Sequence, residues 1–340
     1  MRLFCLSFAV FLAVISGCEL RTTLEPTEPD YVNPSFPDAV RGAVKNNLCY
    51  AEDFAVSGDG YWVFAANRVR RYIDKTYVSE GPTSPNKIFF PESFPYTDRP
   101  NRLVASYFGD LLYCNFADRN TIYIIDTETM QETLLCEGQD NISELYLTEF
   151  DESILAVYFT EHLVDRFNAL TGELEGSCVL PWPPIHSSLS PDKKTLAVFG
   201  VPAYEAALID LATMSVIKTL DVGSAVTTFS YSGLGNYLVF FRGGNYKPAV
   251  NRYSLTDDKW WGWQECNRFY THSHPVPGSE SVAASRSNHN WLSVINAENM
   301  VFAPPLECPG NQWEVEASDN GQRIFVMTRW PHRIVVFHMD

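Results

Sequence analysis

One turn recurs along this chain at a spacing that limits what the chain can fold into. It is clearest at Ser190-Pro191-Asp192-Lys193, between an alternating run that begins at Ile185 and an apolar run from Thr195 to Phe199. Aligned on it, Asp59, Asp110, Asp151, Asp192, Gly235, Gly278 and Asn320 follow one another at steps of 51, 41, 41, 43, 43 and 42. The long first step holds a Pro-rich insert, Glu80 to Pro100. Apolar runs follow the anchors, among them Leu111 to Phe116, Ile154 to Phe159 and Tyr237 to Phe241. A third run follows in most units and often ends on Asp or Asn, as in Ile122 to Asp126. The unit from Ile185 to Asp221 reads as four short strands with turn signals between them.

Four strands repeated every 40 to 45 residues are the signature of propeller blades. Residues 39–340 are therefore expected to form an all-β, seven-bladed β-propeller of four-stranded blades. A β-sandwich has no reason to repeat one turn seven times. Blade six is expected to be degenerate, with Pro275, Pro277 and Gly278 where its inner strand should run. The last unit ends on its third strand, Ile334 to His338, and lacks a fourth. The spare segment Ala39 to Lys45 is expected to supply that strand, so that an N-terminal strand closes the ring and removes an open edge.

Ahead of the repeats lies a targeting segment. Arg2 precedes an apolar run from Leu3 to Ile15, too short to span a bilayer as a mature helix. It fits a signal peptide of residues 1–17. Glu19 to Pro37 carries four prolines and no periodicity, so residues 18–38 read as an extended tether. Ile15-Ser16-Gly17-Cys18 resembles the lipobox of bacterial lipoproteins. That resemblance implies cleavage before Cys18, acylation of Cys18 and a lipid-anchored place in the cell envelope, periplasmic or surface-exposed. A simple secretory signal is the alternative.

The run Ser190-Pro191-Asp192-Lys193-Lys194-Thr195-Leu196-Ala197-Val198 resembles the turn of YVTN and WD40-like propellers, and Asp59-Gly60 and Asn320-Gly321 match it. No Trp-Asp pair and no YVTN tetrad accompany it. Such folds host enzymes and binding scaffolds alike.

The net charge is −16, which counts against nucleic-acid binding. Export permits disulfides. Cys136 and Cys178 are 42 residues apart, as are Cys266 and Cys308, and each pair is expected to be bridged. Cys114, inside an expected strand, reads as a buried thiol.

Loops between second and third strands all emerge on one face of a propeller, and here they carry arginine. Arg68, Arg119 and Arg329 lie nine residues past their anchors, Arg286 eight and Arg242 seven. Tyr246, His289, Trp330 and His332 lie in the same loops. An arginine fork grips carboxylates with two parallel hydrogen bonds, so this face is expected to receive a protein or an anionic ligand. The competing reading has each arginine tying neighbouring blades together.

Other candidates are weaker. His272 and His274 alternate and could ligate a metal with a third group, yet no carboxylate partner stands out. Trp260, Trp261 and Trp263 could stack on a sugar or pack beneath an outer strand. No G-x-S-x-G elbow and no phosphate loop occur, and no cofactor is expected. The expected inner strands carry few carboxylates, which counts against an enzyme. The expectation is therefore a monomeric, membrane-anchored lipoprotein whose propeller is a binding scaffold for a protein, peptide or glycan. A lactonase-like hydrolase and a quinoprotein-like redox subunit are the alternatives.

Overall fold

The computed structural model describes residues 39–46, 51–67, 72–78, 86–89, 100–116, 120–138, 141–243, 246–266, 268–286, 290–308, 310–329 and 332–339. All belong to one compact unit, Asn33–Asp340. For residues 39–46, 51, 52, 86, 87, 89, 329 and 332 the description is of the backbone alone. Cys18, the signal segment and the tether lie outside the described residues.

The chain folds as seven antiparallel sheets in series. Their first strands are Ala51–Val56, Pro100–Ala105, Ile142–Leu147, Pro184–Leu189, Val226–Tyr231, His272–Val276 and Gln312–Ala317. These are the inner strands of blades one to seven. The last sheet is closed as expected: Ala39–Asn46 pairs antiparallel with His332–Met339, from Ala39 opposite Met339 to Asn46 opposite Arg333. No helix among the described residues is long and apolar enough to cross a membrane.

The repeated turn has a chemical cause. Ser57, Ser106, Thr148, Ser190, Ser232 and Ser318 each accept, on their hydroxyl, the N–H that opens or immediately precedes the second strand, at 2.9 to 3.2 Å. The same hydroxyl donates to the turn carboxylate in blades one, two and four. A short polar side chain thus satisfies the backbone of a tight reversal.

Both faces of the middle strands are buried, which is why they read as unbroken apolar runs. In Trp62–Asn67, Phe64 and Ala66 face blade two while Val63 and Ala65 face blade seven. Seven apolar clusters result, one between each pair of neighbouring blades. Between blades four and five, Phe229 stacks on Phe240 at 5.2 Å and meets Phe199 edge-on at 6.5 Å.

Two expectations are corrected here. Blade six does have an inner strand: His272–Val276 runs through Pro275, opposite Val282. An inner strand has one neighbour in its sheet, so a residue without an N–H need not break a ladder bond. The irregularity lies in the fourth strands instead. In blade six Pro304-Pro305 interrupts it, leaving Val301–Phe302 and Leu306–Glu307. In blade five Gly262, at φ 108°, separates Lys259–Trp260 from Gln264–Glu265.

The two expected disulfides are absent, and Cys136, Cys178, Cys266 and Cys308 are free thiols. Equivalent positions face equivalent but different layers. Cys136 packs between blades two and three, and Cys178 between blades three and four, so blade three itself separates them. Cys266 and Cys308 are separated by blade six in the same way. Cys114 is the buried thiol expected.

Candidate functional site

The inner strands share one irregularity that places the chemistry. In six blades the register with the second strand shifts one residue after the strand begins, which is a bulge. The residues just past it are Asp53, Arg102, Glu144, His186, Thr228 and Glu314. Blade six lacks the bulge, and Ser273 takes the equivalent place. All seven line a central cavity of about 1610 Å³, so one polar side chain per blade rings the axis.

Neighbouring blades are tied together around this ring. The Leu103 N–H donates to Asp53 Oδ2 at 2.7 Å, and the Arg102 guanidinium pairs with Asp53 Oδ1 at 3.3 Å. Arg102 also donates to the Ser143 carbonyl of blade three. Tyr146 and Ser187 share a hydrogen bond at 3.0 Å, as do Thr228 and Ser273 at 2.9 Å.

The expectation of few inner-strand carboxylates is wrong. Asp53, Glu144, Glu314 and Glu316 all line the cavity, and among the described residues Arg102 is the cation set among them. Burial raises the proton affinity of all four. For Asp53 and Glu144, Arg102 pulls the other way. For Glu314, Asp53 adds to the rise, and Glu314 Oε2 is buried with no hydrogen-bond partner. Burial has the opposite effect on the imidazoles: His186 is pushed down to about 4 and His274 is lowered. His274 Nδ1 contacts its Pro275 carbonyl, and His272 packs 5.7 Å from the Trp313 ring. No group of three His, Cys, Asp or Glu side chains among the described residues is placed to hold a metal.

The loops joining first to second strands frame one mouth of the cavity. Tyr107 and Phe108 come from blade two and Phe150 from blade three, with Phe108 67% and Phe150 82% exposed. The Tyr107 N–H donates to Asp151 Oδ2 at 2.7 Å, joining those loops. Lys193 of blade four reaches Asp319 of blade seven at 2.8 Å. Those blades are three apart in a ring of seven, so this ion pair spans the mouth.

The arginine loops lie at the opposite end of the antiparallel strands. Arg68, Arg119, His289 and Trp330 lie outside the described residues, as do the side chains of Arg329 and His332. Arg242 ends a second strand and stacks 5.0 Å from the Trp263 ring, while its Nε donates to the Lys247 carbonyl. Tyr246 is exposed nearby in sequence. Arg286 follows directly after Ser281–Ser285. Burial lowers its proton affinity and the neighbouring Arg268 lowers it further. Burial raises the Cys266 thiol, against the combined pull of Arg268, Arg242 and Arg286. The structure thus gathers three arginines between blades five and six. Arg268 was missed in the sequence because it follows an outer strand rather than a second strand. Of the three tryptophans, Trp260 packs on Phe240 and Tyr253, and Trp261 lies 5.6 Å from the Arg252 guanidinium.

No known protein family matches the chain, and no curated protein matches it. Among solved structures, Kuenenia stuttgartiensis hydrazine synthase is similar in fold, with 13% sequence identity and a TM-score of 0.71, over 87% of this chain and 98% of that one. At that identity the likeness concerns architecture alone, and the chain is, in architecture, a seven-bladed β-propeller.

Proposed function

We propose that this protein is an exported lipoprotein, anchored through Cys18 in the bacterial cell envelope, whose propeller binds a partner at the mouth framed by Tyr107, Phe108 and Phe150. The observation that carries the reading is that mouth: exposed aromatic side chains around a cavity of about 1610 Å³. A large exposed aromatic ring is poorly placed in water and well placed against a partner. The anchor rests on Ile15-Ser16-Gly17-Cys18 behind its apolar run, and the tether of residues 18–38 holds the propeller off the membrane. The Ser190 to Val198 run supports kinship with YVTN and WD40-like propellers.

Two comparisons test the reading. Cys18→Ser should release the protein from the membrane fraction, and unchanged attachment would refute the anchor. Cross-linking in native membranes should give an adduct that the Phe108→Ser, Phe150→Ser double variant loses while its Tm is kept. An undiminished adduct would place binding elsewhere.

A second reading is favoured by the convergence of Arg242, Arg268 and Arg286. The far face would then take an anionic partner, and Arg242→Ala with Arg286→Ala would abolish a salt-sensitive attachment without loss of stability.

A further inference from the structure

We infer that the cavity receives a cationic peptide segment of the partner, and that Lys193 is a built-in substitute for the partner's charge. The inference rests on the reading that the aromatic mouth is the binding face. Eleven carboxylate residues and three cationic ones line the cavity, an acidic excess of eight. The three cations are all engaged: Arg102 with Asp53, Arg166 with Glu175 and Lys193 with Asp319. Carboxyl groups therefore remain without a cationic partner, and Glu314 Oε2 is buried without even a hydrogen bond. An arriving ammonium or guanidinium would supply both the charge and the donors that these groups lack.

The aromatic mouth separates a peptide from a small cation. A small ion would use the carboxylates and leave Phe108 and Phe150 in water. A peptide that alternates cationic and apolar side chains uses both at once, with its charges turned inward and its apolar groups laid against the rings. Arginine and lysine also sit favourably over aromatic faces.

Lys193 makes the mouth self-occupied. It crosses from blade four to Asp319 of blade seven, so its ammonium already sits where an incoming cation would arrive. A partner must displace it. Both side chains are partly exposed, so solvent screens the pair and it is cheap to break. Lys193 is thus a weak latch that sets a threshold for binding and rejects partners without a competing charge.

The test uses the purified full chain and a labelled peptide alternating arginine with leucine, followed by fluorescence anisotropy at low and high salt. Its counterpart carries citrulline, which keeps the shape and removes the charge. The arginine peptide should bind, weaken with salt, and exceed the citrulline peptide by about tenfold or more. Lys193→Gln should tighten it severalfold, and Glu316→Gln should weaken it. Equal binding of the two peptides, no binding of either, or weaker binding by Lys193→Gln overturns the inference. Spermidine binding as tightly as the peptide also overturns it, in favour of a small polyamine. The Phe108→Ser, Phe150→Ser variant separates the two levels of argument. If it leaves peptide binding intact, the reading of the mouth fails. If it weakens both peptides while arginine and citrulline remain equal, only the inference about charge fails.

Discussion

Replacing Glu314 by glutamine should make the protein more stable at neutral and alkaline pH. Glu314 of the last blade faces Asp53 of the first, with Glu316 two residues further on, and Arg102 is the nearby cation. Burial raises the folded-state proton affinity of all three carboxyls above that of the unfolded chain. The folded state therefore holds more protons than the unfolded one above the ordinary carboxylate range. The stability this gives is fully present below the unfolded pKa and is lost as pH rises through the folded values. Glutamine keeps the shape and cannot ionise. It removes a buried, unsatisfied carboxylate oxygen, a change of about 1 to 3 kcal/mol. With an unfolding entropy of about 2.1 cal/mol/K per residue over roughly 300 residues, that is about 2 to 5 °C in Tm. Calorimetry of both proteins from acid to mildly alkaline pH is the assay. The buried histidines titrate in both, so their contribution cancels in the difference. The two Tm curves should coincide near pH 4 and separate as pH rises, with the variant above. A difference that is constant with pH, or a variant less stable at pH 8, would refute the reasoning.

Three further outcomes are expected. His186 is held neutral by burial, so its imidazole resonances should titrate near 4 rather than near 6.5; a midpoint above 6 would show an open, wet site. Deleting residues 39–48 removes the outer strand of blade seven and should lower Tm sharply, whereas a negligible shift would mean that the ring is held elsewhere. Burial pushes the Cys136 thiol up to about 12, so a thiol reagent at pH 8 should label it only after denaturation, and intact mass should be unchanged by reduction.

The parts of this fold that could be read from the sequence are those with a local chemical cause. The turn recurs because one hydroxyl and one carboxylate satisfy the same backbone groups in blade after blade, as at Ser190 and Asp192. The middle strands announce themselves because both faces are buried. The closing strand was legible by subtraction, since the last unit lacked a partner. The axial ring was not legible. Six of its seven members follow a bulge, which shifts the register by one residue and leaves no mark in composition. Asp53, Glu144 and Glu314 are isolated acids in their own segments and become a cluster only when the ring brings them together. The cysteine pairs failed for a related reason: a shared position in a repeat gives a shared direction, and two side chains that point the same way do not meet.

The closing strand also has a consequence for timing. Ala39 pairs with Met339, a partner made 300 residues later in synthesis. At about 5 to 20 residues per second, the first strand waits tens of seconds before its mate exists. Six blades can pair locally as they emerge, but the seventh cannot. Asp53 and Glu314 sit on the two sides of that last join, so the most acidic part of the axis is assembled in the final step. The closeness of Asp53 that adds to the rise at Glu314 therefore requires the closed ring.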